Sequence, residues 1–126
     1  MEYLKEKYTQ GYYLNQDSDG KSRDFGVVGL DEYLSGDIRK QDKDILEKIN
    51  FRGKTVLDLG FGRGEGIKYA HDHGAVNIVG VDFSIPAYEL AKQYLKNHKV
   101  TAELYCSDIS KFLHKYSSKN FDIVLL

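Results

Sequence analysis

The stretch Thr55–Gly66, TVLDLGFGRGEG, decides how the rest of the chain is read. Val56, Leu57 and Leu59 form a short apolar run suited to a buried strand, and the run then breaks into glycine at every second position, Gly60, Gly62, Gly64 and Gly66. This is the pattern of a strand whose tip turns sharply into a helix. Glycine serves there because it reaches positive φ and has no side chain to hold a ligand off the backbone. The N–H groups that open the following helix have no intrahelical acceptor and so face whatever occupies the turn.

Several nucleotide-type ligands use such turns, and spacing separates them. A dinucleotide fingerprint needs Gly-x-Gly-x-x-Gly, and the last position falls on Glu65, Ile67 or Tyr69 in the three available registers. A phosphate loop needs Gly-Lys-Ser/Thr at its end, whereas Lys68 follows Ile67. What fits is Asp58-x-Gly60-x-Gly62-x-Gly64. A carboxylate at the strand tip repels phosphate and suits a ligand bearing an ammonium group.

Downstream, two further apolar runs end in acids. Asn77–Asp82 (NIVGVD) places Asp82 at a second strand tip, where a carboxylate can accept from both hydroxyls of a ribose. Val100–Cys106 leads to Asp108 and Ile109. Asp108 can accept from the exocyclic amine of adenine, with Ile109 as a flat apolar contact. Each acid also has a plainer reading, Asp82 and Asp108 as caps of the helices that follow them and Phe83 as core.

The segments DLGFGRG, GVDFS (Gly80 to Ser84), CSDIS (Cys106 to Ser110) and FDIVLL (Phe121 to Leu126) occur in the order of the first four landmarks of the class I S-adenosylmethionine-dependent methyltransferases, and from Gly53 onward the chain resembles that family. The resemblance implies a Rossmann-like doubly wound parallel sheet, S-adenosyl-L-methionine as cofactor and methyl transfer to an acceptor. It implies that Gly60, Gly62 and Gly64 let the backbone close on the methionine portion of the cofactor, that Asp58 orients the loop or meets the amino group through water, and that Phe61 is among the cofactor-binding residues. Asp82 would hold the ribose, and Phe83, Asp108 and Ile109 would frame the adenine. In the family the groups that touch the acceptor follow the fourth strand, so no catalytic residue is named. The family sheet has seven strands in the order 3-2-1-4-5-7-6. Here strands are expected only through the fourth, leaving an unpaired edge of Ile123, Val124, Leu125 and Leu126. The expectation is therefore a chain truncated after its fourth strand that self-associates along this edge, or one whose missing half comes from elsewhere.

The division expected is an N-terminal helical and loop cap over residues 1–52 and a cofactor-binding half-domain over 53–126. In the cap, Leu4, Tyr8 and Tyr12 share one face of a helix, read chiefly as a packing surface and secondarily as a lid. The run Asn15-x-Asp17-x-Asp19-Gly20 is like a calcium loop but has Gly26 where a bidentate glutamate belongs, so an Asp-Gly turn is expected. Ile38, Ile45, Leu46 and Ile49 predict a helix over about 36–50 capped by Ser35 or Asp37, with Arg39 on its solvent face. Arg63 is expected to pair with Asp58 or Glu65. A helix over Glu65–His73 should end at Gly74, and Ser84 should cap a helix over Ile85–Asn97.

With 126 residues the chain is one domain in size. Its 18 basic and 19 acidic side chains nearly balance, which argues against a dedicated nucleic-acid or anionic-membrane surface and favours a small-molecule acceptor. Cys106 is the only cysteine, so no internal disulfide can form, and no spanning or signal segment is seen. A reducing, cytoplasmic setting and a small, buried, unreactive Cys106 are the expectations. His71 and His73 fall on different helix faces and no metal is assigned. The rival readings are a non-catalytic cofactor-binding or assembly module and, further off, a dinucleotide or nucleotide-sugar enzyme.

Overall fold

The computed structural model describes residues 30–116 and 120–126. The tyrosine-faced segment over residues 2–13 and the polar loop over 15–26 lie outside the described residues. In chain order the elements are α1 (Leu30–Ser35), α2 (Lys40–Leu46), β1 (Thr55–Leu59), α3 (Glu65–Asp72), β2 (Asn77–Asp82), α4 (Ile85–Asn97), β3 (Glu103–Cys106), α5 (Ile109–Lys115) and β4 (Ile123–Leu125).

Four strands make one parallel sheet in the order β3-β2-β1-β4. Leu57 stands beside Val79 of β2 and Val124 of β4, and Val81 stands beside Tyr105 of β3. Successive strands β1, β2 and β3 step across the sheet in one direction, so right-handed crossovers put α3 and α4 on the same face. The step from β3 back to β4 runs the other way and puts α5 on the opposite face. Side-chain alternation along the strands agrees with this. Val56 and Ile78 join Ile67, Ala70, Ala91, Tyr94 and Leu95 on the α3/α4 side, and Leu57, Leu59, Val79 and Val81 gather with Phe112 on the α5 side.

On the first face, β2 and α3 approach unusually closely. A Cβ at Gly80 would stand 2.7 Å from Ile67 Cδ1 and 2.8 Å from Phe61 Cδ2, so only glycine admits the Phe61 ring and the Ile67 side chain packed over β2. Tyr33 of α1, Leu46 of α2 and Phe51 belong to the same apolar cluster. The elements that precede β1 are therefore packed onto the sheet's first face.

Several local expectations need correction. The helix expected over 36–50 is shorter, running only from Lys40 to Leu46, and it is preceded by a second short helix, α1, that ends where Gly36 turns the chain at φ 98° and its N–H closes on the Tyr33 carbonyl. Neither Ser35 nor Asp37 caps α2. Arg39 occupies that position without a side-chain cap bond, and Ser35 Oγ donates to the Glu32 carbonyl instead. The third strand begins at Glu103 rather than Val100. Cys106 is exposed rather than buried, since β3 is the outer strand of the sheet among the described residues, and its thiol donates to the Phe83 carbonyl at 3.7 Å. The glycine stop after α3 is as expected, with Gly74 at φ 96°.

Candidate active site

The order β3-β2-β1-β4 reverses between β1 and β4, and ligands of open parallel sheets lodge outside the strand tips at such a reversal. A cleft of about 460 Å³ lies there. Its floor is Asp58, Gly60, Phe61 and the first turn of α3 with Glu65 and Gly66; Val124, Leu125 and Leu126 form one wall and the apolar stripe of α2 the other.

Gly60 shows why the turn must be glycine. Its φ is 83°, and a Cβ there would meet nothing within 4 Å of itself, so it would project into open space where a ligand would lie. The turn is held in place from β2. Gly60 N–H donates to the Val81 carbonyl at 2.7 Å, and Gly62 N–H donates to Asp82 Oδ2 at 2.9 Å. The other oxygen of Asp82 accepts from Ser84 N–H, also at 2.9 Å. Asp82 is thus both the loop's anchor and the start of the turn into α4, and the remaining lone pairs of its two oxygens are what a ribose would use.

Asp58 is different. Only 7% of its surface is exposed, no donor among the described residues reaches its carboxyl, and Oδ2 lies so close to Gly66 that a Cβ there would stand 3.3 Å away. Burial, and then the charge of Asp82, pushes its pKa up to about 7. A buried acid at the edge of a cleft, lacking a donor, is suited to an ammonium group that restores its charge.

The third acid has a local duty. Asp108 accepts from Lys111 N–H at 3.2 Å and caps α5, while Ile109 packs against the α5-side cluster and Ser107 N–H joins β3 to the Asp82 carbonyl. Phe83 is half-buried between the tips of β2 and β3. Phe61 lines the cleft but sinks its ring into the core. The three carboxylates stand at the same end of adjacent strands, with Asp58 in the cleft and Asp82, Phe83, Asp108 and Ile109 along the β2 and β3 tips beside it.

Arg63 pairs with Glu65, with Nε donating to Oε1 at 2.8 Å, and not with Asp58. Arg39 pairs with Asp42 at 3.0 Å on the face of α2. Glu65, Asp42 and the stripe Ile38, Ile45, Leu46 and Ile49 line the cleft and were not foreseen as site residues, although the helical spacing of the stripe was visible. No group of metal-ligating side chains occurs among the described residues. No described helix is long and apolar enough to cross a membrane.

A parallel doubly wound sheet with a glycine turn and acids at its strand tips defines a binder of a nucleoside-type cofactor. Comparison with known proteins narrows this. The methyltransferase-domain profile matches residues 56–126, more than half of the chain, and the chain belongs to the class I S-adenosylmethionine-dependent methyltransferase family. The ubiquinone biosynthesis O-methyltransferase of Coxiella burnetii is 34% identical over 82 residues, which is 65% of this chain and 34% of that protein. Phosphoethanolamine N-methyltransferase 3 of Arabidopsis thaliana is 28% identical over 83 residues, 65% of this chain and 16% of that one. In fold, SMU.776, solved as a complex with SAH, superposes with a TM-score of 0.57 at 22% identity over 68% of this chain and 24% of its own. The chain spans about a third of the length of the O-methyltransferase it matches and less of the N-methyltransferase.

Proposed function

We propose that this chain is the cofactor-binding portion of an S-adenosylmethionine-dependent methyltransferase acting on a small-molecule acceptor. The observation that carries the reading is the cleft at the β1/β4 reversal, where Gly60 leaves open space and no donor among the described residues reaches Asp58. The residues fit the cofactor. Gly60, Phe61, Gly62 and Gly64 would give it backbone, Asp58 would meet its amino group directly or through water, Asp82 would hold the ribose, and Phe83, Asp108 and Ile109 would enclose the adenine. When bound, S-adenosylmethionine supplies an electrophilic methyl group on a positively charged sulfur. This chain's part is to fix that group and to exclude water from one side of it, so that an acceptor arrives in a defined geometry.

Support for a small acceptor comes from the relatives' names, one tied to ubiquinone biosynthesis and the other to phosphoethanolamine, and from the near-balanced charge, which supplies no broad basic face. A cytoplasmic setting belongs to the same reading. Calorimetric titration with S-adenosylmethionine, S-adenosylhomocysteine and NAD tests it. Binding of the first two and not the third is expected; binding of NAD alone, or of none, overturns the proposal.

A further inference from the structure

The glycine turn has a third anchor, and it comes from outside the sheet. The Tyr33 hydroxyl donates to the Arg63 carbonyl at 2.8 Å, across 30 residues of sequence, and Tyr33 is only 1% exposed. Arg63 sits between two positive-φ glycines, Gly62 at 57° and Gly64 at 91°, and its guanidinium folds back to lie 4.1 Å from the centre of the Tyr33 ring. The same guanidinium grips Glu65, the first residue of α3, through Nε and Nη2. Burial holds the Tyr33 phenol well above its usual range, so it stays a donor at every working pH.

We infer that Tyr33 is a positioning residue: its hydroxyl, with the Arg63–Glu65 pair, latches the glycine turn in its ligand-ready form before any cofactor arrives. The functional reading proposed above supplies the ligand for this inference, but not the latch itself. Gly62 and Gly64 have left-handed backbone and no side chains of their own to pack, so the carbonyl between them is the point where the turn is most easily lost. Holding it in the free protein removes an ordering cost that binding would otherwise carry.

The structure contains its own control. Tyr94 of α4 stacks on Tyr33 with ring centres 4.3 Å apart and is nearly as deeply buried, yet its hydroxyl has no hydrogen-bond partner among the described residues. Tyr33→Phe and Tyr94→Phe therefore delete equivalent buried hydroxyls, one bonded to the turn and one not. Two measurements on the whole chain decide the matter. Calorimetry should show S-adenosylhomocysteine affinity reduced roughly five- to tenfold in Tyr33→Phe, the scale of one lost hydrogen bond, and unchanged in Tyr94→Phe. Amide hydrogen exchange without ligand should quicken at Gly62 and Gly64 in Tyr33→Phe while the amides of α4 keep their wild-type rates. Equal behaviour of the two variants overturns the latch, and so does faster exchange spread evenly over α4. Faster exchange at the turn with unchanged affinity overturns the positioning role. If the wild-type chain fails to bind S-adenosylhomocysteine, the methyltransferase reading falls, and the exchange measurement alone still decides whether Tyr33 holds the turn.

Discussion

At Asp58 the fold holds an acid in a place that favours its neutral form. The folded pKa of about 7 lies above the ordinary 3.8, so the folded state binds this proton more tightly than the unfolded state does. Its contribution to stability is therefore greatest below about pH 4, declines as pH rises from there to about 7, and is level above that. At about 1.36 kcal/mol per unit the loss amounts to roughly 4 kcal/mol. Asp58→Asn should flatten this part of the profile and raise stability at pH 8, as read from urea midpoints of both proteins across pH 4–8. The same substitution should weaken S-adenosylhomocysteine binding at least tenfold, and wild-type binding below pH 7 should release a proton, which calorimetry in buffers of different ionisation enthalpy detects. A variant that is no more stable at pH 8 would show that the acid is not held against its charge. Two glycines offer a matched contrast at the same scale. Gly80→Ala drives a methyl into Ile67 and Phe61 and should cost about 1–3 kcal/mol of stability. Gly60→Ala should cost only about 1–2 kcal/mol, from its left-handed backbone, and its main effect should be lost cofactor affinity.

Helix α5 is where two readings of one residue meet. Asp108 caps it, and the same carboxylate is the group proposed to accept from adenine. Asn also caps, so Asp108→Asn should hold stability within about 0.5 kcal/mol while Asp108→Ala loses about 1 kcal/mol. If the free carboxylate oxygen serves the adenine, both variants lose affinity for S-adenosylhomocysteine; equal affinity in Asn and wild type would leave Asp108 a cap alone. Elements of this kind were legible because their signals are local. Ser84 accepts from Ala87 N–H at 3.3 Å, and Pro86 lies in the first turn of α4, as the order Ser-Ile-Pro predicts. Helix α1 and the true bounds of α2 were not legible, because the apolar spacing of Ile38, Ile45 and Ile49 extends past both ends of α2, and Leu30–Ser35 is too short to show a helical period of its own.

At the scale of the whole molecule, β4 pairs with β1 on one side only among the described residues, and Val124 and Leu126 are exposed at 41% and 99%. An apolar strand edge of this sort templates further pairing. Sedimentation velocity should show association that grows with concentration, and Val124→Lys should suppress it; a strict monomer at high concentration would remove the prediction. Sheet order, too, belongs to this scale. It was open to inference from strand–helix alternation because crossover handedness leaves few arrangements, and the reversal beside β1 then says where a ligand lies.

What the sequence by itself determined was the set of parts: the strand, the glycine turn, the acids at the strand tips and the helices between. Each rests on residues within a few positions of one another, where φ preference, hydrophobic period and capping act. Which partners each acid finds in the folded chain was decided by the tertiary structure. Asp82 bonds the turn and Asp58 stands buried at the cleft with no donor among the described residues, and contacts made 30 residues apart, as between Tyr33 and Arg63, likewise come only from packing. Desolvation and hydrogen-bond partnership depend on what the folded chain brings alongside a group, and no spacing along the sequence carries that information.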